Sequence, residues 1–258
     1  MNESSLEQVL ELCLRAGSVM LKNGAETSRV EETIVRIGQS FGCRTVHSFA
    51  TPTGLFVSMA DSEREKTRML RITGTSTINL SKVHEVNDLS RRCASGTVTL
   101  ADLAVELNRI DRVPYTYRLR YQHLAAAVSS GAFAVLFGGS LPEFLVGAVC
   151  GWLSNSAWGM IGDRMPTFLR TFFAALVGVV MAVIGVKYSF ATHTEAAILG
   201  AVIPLVPGVA VTNSVRDLMA GELLSGVARA ADAALTAFAI AVAVALVLTV
   251  ALRGVVIQ

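Results

Sequence analysis

The residues best able to do chemistry stand in one apolar stretch, where Pro204, Pro207 and Gly208 are followed by Asn213, Asp217 and Gly221. Each proline removes a backbone donor, and Gly208 admits conformations closed to other residues, so a helix here is expected to kink or unwind. At membrane depth a broken helix persists only where protein or a polar cavity satisfies the freed backbone groups. A half-helix beginning near Val209 would aim its amides and positive dipole end at the break, which suits a carboxylate. Asn213 and Asp217 share a face at i and i+4. With Pro207, Gly208 and Gly221 they form the candidate set for binding and translocating a solute. A proline kink in a helix that only packs is the competing reading. A buried carboxyl at Asp217 without a partner would have a raised pKa, as proton carriage requires; Glu195 and Asp232 are the other acids considered for that role. Asn155, between Ser154 and Ser156 in an apolar segment, is either an interhelical hydrogen-bond donor or a further solute contact.

The elements that hold these residues follow from an uneven charge distribution. Residues 1–118 carry 15 Lys or Arg and 14 Asp or Glu, against 7 and 6 in the longer remainder. The first part has the mixed charge of a soluble domain, and the second is a nearly continuous supply of Ala, Val, Leu, Ile, Phe and Gly. A net charge of +2 with no basic stripe excludes nucleic acid as a partner. Cys13, Cys43, Cys93 and Cys150 are too scattered for a metal or redox motif and read as small buried hydrophobes. No cofactor is implied. Met1 to Gly24 shows no cleavable signal pattern, which places the soluble part in the cytosol.

Within residues 1–117 the pattern predicts an α+β domain. Leu6, Val9, Leu10, Cys13 and Leu14 recur at helical spacing, as do Val30, Ile34, Ile37 and Phe41 after a break at Asn23-Gly24. Short β-rich segments follow near 44–49, 54–59 and 68–73. Two more helices come after Gly74, the second behind a cap at Thr99 with Asp102 three residues on. His47 and His84 are lone histidines without an accompanying nucleophile. Glu26, Arg29 and Glu32 read as a solvated first helical turn.

Residues 118–258 divide at their charges and prolines into about five transmembrane helices, near 121–137, 141–161, 167–186, 195–215 and 230–252. Arg109, Arg112, Arg118 and Arg120 crowd the start of the first, which holds that end in the cytosol, and Arg164, Arg170, Arg216 and Arg229 agree. Gly147, Gly151 and Gly178 let helix backbones approach closely and suit a compact bundle or an oligomer of this chain.

The run from Asn23 to Glu31, with Gly24, Glu26, Arg29 and Glu31, then Thr51, Pro52 and Gly54, and much later Leu205 to Gly208 with Asn213, Asp217, Gly221, Gly226 and Arg229, resembles the threonine/serine exporter family. It is similar to the larger subunit of the split two-component form. The resemblance implies a multi-pass protein of the bacterial inner membrane, in contact with the lipid bilayer, with a cytosolic N-terminal domain. It implies a smaller membrane partner subunit, and a carboxylate-bearing substrate such as threonine, serine or succinate. It makes the chain a transport protein and not an enzyme, driven by the proton or membrane potential because no ATP-binding motif is present. A membrane-anchored ligand-sensing or hydrolytic domain, and a scaffold for a transporting partner, are the alternative readings.

Overall fold

The computed structural model describes residues 3–62, 64–73, 78–113, 117–162 and 165–256. Gly74 and Arg164, named above, lie outside them. The described chain is mainly helical and groups into two units, one formed by residues 1–116 with 209–230 and the other by 117–208 with 231–258.

The first unit is built on α1 (Glu3–Lys22), α2 (Thr27–Ser40), α3 (Leu80–Ala94) and α4 (Leu100–Arg112). These helices bury one apolar face around an antiparallel sheet of β1 (Thr45–Thr51), β2 (Gly54–Ala60) and β3 (Glu65–Arg71), in the order β1-β2-β3. Alternation along β2 places Leu55, Val57 and Met59 in the core with Leu6, Leu10, Ile34, Ile37, Leu103 and Leu107. Each such fully buried side chain contributes about 1.5–3 kcal/mol. The expected cap of α4 is present: Thr99 and Asp102 form a reciprocal capping box.

Segment 209–230 adds α9 (Gly208–Met219) and the first two turns of α10 (Leu223–Val256) to this unit. The helix stops at Gly24, Gly42, Gly96 and Gly221 in this unit share one construction. Gly24 after α1 and Gly221 after α9 both take φ of +87°. Behind Gly221, Glu222 N–H donates to Asp217 O and Gly221 N–H to Leu218 O, and Ala25 and Gly24 repeat this behind α1. This is the paired-bond stop that needs a left-handed residue just past the helix end.

The second unit comprises α5 (Leu119–Leu136), α6 (Leu141–Ile161), α7 (Thr167–Lys187), α8 (Thr194–Val202), a 3-10 turn (Ile203–Leu205) and the rest of α10. Small residues dominate its core, among them Ala175, Ala182, Ala197, Ala201 and Ala243. Gly151 faces Ser130 of α5, and Gly178 faces Ser154 of α6. Among the described residues, three helices are long and apolar enough to cross a membrane: Leu141–Ile161, Thr167–Lys187 and Leu223–Leu252. A fourth span results if Thr194–Leu205 and Gly208–Met219 count as one broken element. The sequence had led us to expect five. The first of them, α5, falls short because Arg120, Tyr121, Gln122 and His123 occupy its opening turn.

Candidate functional site

In the first unit, the two motif groups separated by most of the chain meet at one buried carboxylate. Asp217, on α9, is fully buried. The main-chain N–H of Thr27, the first residue of α2, donates to its Oδ1 at 3.1 Å. Arg229, near the start of α10, places Nε 3.0 Å from its Oδ2. The local sequence explains why α2 recruits this acid. Glu26 holds the position before the helix but makes no side-chain capping bond there. The first amides of a helix have no partner within it, and a negative charge is stabilised at that end. Asp217 fills the vacancy from 190 residues away.

Further bonds converge around this pair. Asn213 Nδ2 donates to Gly24 O at 2.9 Å, one turn before Asp217 on the same face. Arg229 Nη2 donates to Ala25 O at 2.8 Å. Arg216 pairs with Glu26, and Arg29 lies 3.9 Å from the other oxygen of Glu26. Gly24 and Ala25 can present these carbonyls because the left-handed stop turns the chain outward there.

Ala50 of β1 ties the sheet to the same junction. Its N–H donates to Glu31 Oε1 at 2.7 Å, and its carbonyl accepts from Ser225 Oγ at 3.1 Å. Burial pushes the Glu31 carboxyl above its ordinary value, and Glu222 and Asp217 add to this, while the Ala50 amide pulls the other way. The hairpin that follows is closed by Thr51 Oγ1 donating to Gly54 O at 3.1 Å, with Pro52 in the turn.

The other candidates are arranged differently. Asp217 was considered as a proton carrier, a role that calls for a buried carboxyl without a partner; it is paired with Arg229, because the turn at Gly221 brings the start of α10 back along α9. Pro207 and Gly208 lie at the break itself: the helix ends at Val202, tightens into the 3-10 turn, and restarts at Gly208. Asn155 belongs to the second unit and sets Nδ2 2.9 Å from His123 Nδ1 of α5. Glu195 and Asp232 are exposed and belong to the second unit. His47 and His84 are exposed on separate elements.

Cys13, Cys43 and Cys93 are buried, and burial raises each thiol, Cys93 to about 11, so none is a ready nucleophile. Among the described residues no group of three or more His, Cys, Asp or Glu could hold a metal ion.

Sequence reasoning read Arg229 as a topological charge and a motif residue but not as the partner of Asp217, and overlooked Thr27 and Ser225, whose roles exist only in the folded unit. It also overlooked Glu143, which is fully buried. The signal was present: Ser140 stands three residues before it, the spacing of a capping box.

Three apolar helices of spanning length and a bent helix pair, joined to a small α+β unit, define a helical membrane protein. A family signature described as "Putative threonine/serine exporter" matches residues 11–251, and the chain belongs to that family, one of exporters and not of enzymes. It is 25% identical to the "Probable threonine/serine exporter" of Mycobacterium tuberculosis over 96% of this chain and 46% of that protein. It is 21% identical to the "Threonine/serine exporter" of Corynebacterium glutamicum over 88% of this chain and 48% of that protein. The chain thus spans about half the length of these two relatives. Its similarity to the "Probable succinate transporter subunit YjjP" of Klebsiella aerogenes, 25% identical, covers 98% of both chains. No solved structure matches it.

Proposed function

We propose that this chain is a subunit of a secondary exporter that moves small carboxylate-bearing solutes, threonine and serine or a dicarboxylate such as succinate, out across the plasma membrane. The observation that carries the reading is the convergence of both family motif groups on Asp217, directly after the break at Pro207 and Gly208. The solute's carboxylate rests at the break, where the start of α9 offers main-chain amides and a positive dipole end. Asn213, Asp217 and Arg229 then join the segment after the break to the N-terminal unit, which lies in the cytosol. Gly221 ends α9 so that Arg229 can reach Asp217.

A membrane partner completes the pathway. This part of the proposal is supported by the printed name of the Klebsiella relative, a transporter subunit, and by the greater length of the exporters from Mycobacterium and Corynebacterium. Asn155 with His123 is a second polar contact for the solute within the membrane unit.

Inverted vesicles bearing this chain, a candidate partner or both are to be assayed for uptake of labelled threonine, serine and succinate. Uptake that needs both chains, and is lost in Asp217→Asn while the protein still inserts, is the expected result. Full uptake by the partner alone would reduce this chain to a scaffold.

A further inference from the structure

Glu143 serves no role in the junction described above, yet its side chain is fully buried in the first turn of α6. Its Oε2 accepts the main-chain N–H of Ser140 at 2.7 Å and the Ser140 hydroxyl at 2.5 Å. Its Oε1 accepts the N–H of Thr192 at 2.7 Å, the Thr192 hydroxyl at 3.1 Å and the N–H of His193 at 3.0 Å. The ring Nδ1 of His193 lies 3.3 Å from the same oxygen.

One oxygen therefore closes the capping box of α6 itself. The other caps a different helix. Thr192 and His193 immediately precede α8, and His193 makes no side-chain cap of its own. A capping box uses a single carboxylate oxygen, so the second is free to fix the start of α8 to the start of α6.

A further contact bears on where α8 sits. At Gly200 a side chain would meet Ser130 O at 2.6 Å and the Ala134 Cβ at 2.8 Å, so α8 touches the backbone of α5 directly. Between α7 and α8, Ser189 takes φ of 58° at the paired-bond stop of α7, where its N–H donates to Val186 O and that of Phe190 to Gly185 O. The clamp at residues 192–193 and the close contact at Gly200 together fix both the depth and the rotation of α8. That helix leads through the 3-10 turn straight to Val206 and Pro207.

We propose that Glu143 is a positioning residue of the exporter: by clamping the start of α8 it sets where the Pro207-Gly208 break lies, without itself touching the solute. The inference rests on the reading of that break as the solute site.

The test uses the whole exporter in native membranes. Ile203→Cys, Leu205→Cys, Val206→Cys and Val209→Cys, introduced singly, report the setting of the break through their rates of reaction with a small maleimide; the four natural cysteines are buried. In a Glu143→Gln background at least one rate is expected to change about tenfold. The maximal export rate per inserted molecule should fall about tenfold, with the half-saturating solute concentration within about twofold, as for a displaced site. Glu143→Asp, one methylene shorter, should behave like Glu143→Gln. Thr192→Val removes one hydroxyl and keeps both main-chain donors, so its effect should be partial and in the same direction.

Unchanged labelling in Glu143→Gln overturns the proposal, whatever happens to the amount of protein. So does altered labelling with unchanged export, and so does a raised half-saturating concentration at unchanged maximal rate, which would put Glu143 at the solute. If Glu143→Gln leaves no inserted protein, the labelling pattern of Thr192→Val decides by the same criteria. Labelling does not depend on transport. If the wild-type protein exports nothing, an altered pattern in the Glu143→Gln background therefore keeps the clamp and refutes the exporter reading alone.

Discussion

Asp217 in the first unit and Glu143 in the second are both fully buried, and both cap a helix other than their own. They differ in what balances the charge. Among the described residues Asp217 faces a cation, Arg229, and one main-chain donor. Among the described residues Glu143 has no Lys or Arg partner, and it is held by hydroxyls and main-chain amides of two loops. A charge balanced by a side chain can be undone by one substitution elsewhere, because the partner is itself replaceable. A charge balanced mainly by the backbone depends on the fold of the loops, and replacing a hydroxyl partner leaves the main-chain donors in place.

The sharpest way to break this comparison is Arg229→Ala. It leaves Asp217 buried and uncompensated, and removal of one partner of such a pair costs about 3–5 kcal/mol. Thermal unfolding in detergent should show the loss, and Asp217→Asn combined with Arg229→Ala should recover much of it. Equal losses in the single and double variants would mean that the two charges do not act as a pair.

Glu143→Gln should rank next. It turns one accepting oxygen into a donor facing amides that have no other acceptor among the described residues, whereas Asp217→Asn keeps the acceptor that Thr27 uses and leaves Arg229 its bond to Ala25 O. Melting temperatures of the two variants should therefore order as Glu143→Gln below Asp217→Asn. The reverse order would remove the distinction between the two kinds of balance.

Gly221→Ala strains the turn that returns α10 to α9, and a left-handed conformation costs a non-glycine residue about 1–2 kcal/mol. Its effect should appear as a lower melting temperature, and the damage should be greater with Arg229 present than in Arg229→Ala. Additive losses would separate the turn from the ion pair.

The smallest effect is expected at Glu31, and it has the opposite sign. Because its carboxyl is raised in the folded unit, chiefly by burial, the folded state binds the proton more tightly than the unfolded chain. The stability this adds is present at low pH, below the ordinary carboxylate value, and is lost as pH rises through the raised one. Glu31→Gln keeps an oxygen for the Ala50 amide and removes the charge. It should melt slightly higher than the natural protein near neutral pH and no higher in acid. A wild-type advantage at neutral pH would show that the ionised carboxylate is favoured after all.

Much of the architecture was legible because it is written in local periodicity. The strands expected near 44–49, 54–59 and 68–73 occur at Thr45–Thr51, Gly54–Ala60 and Glu65–Arg71. The displacement of the third reflects its exposed edge position, where Lys66, Arg68 and Met69 give no clear alternation of polar and apolar residues. Membership of the exporter family was also legible, since its motifs are short runs. The number of spans was less so: mean hydropathy blurs where a helix such as α5 begins with polar residues.

By itself the sequence determined where helices stop and start: Gly24 and Gly221 admit a left-handed turn, Pro204 and Pro207 withdraw donors, and Thr99 with Asp102 closes a cap. Each is settled within a few residues by covalent geometry and short-range hydrogen bonding. Only the tertiary structure decided that Asp217 answers the amide of Thr27, and that Glu143 answers those of Thr192 and His193. An amide left over at a helix end accepts any acid that folding delivers, and residues so far apart in the chain leave no spacing by which to recognise which one arrives.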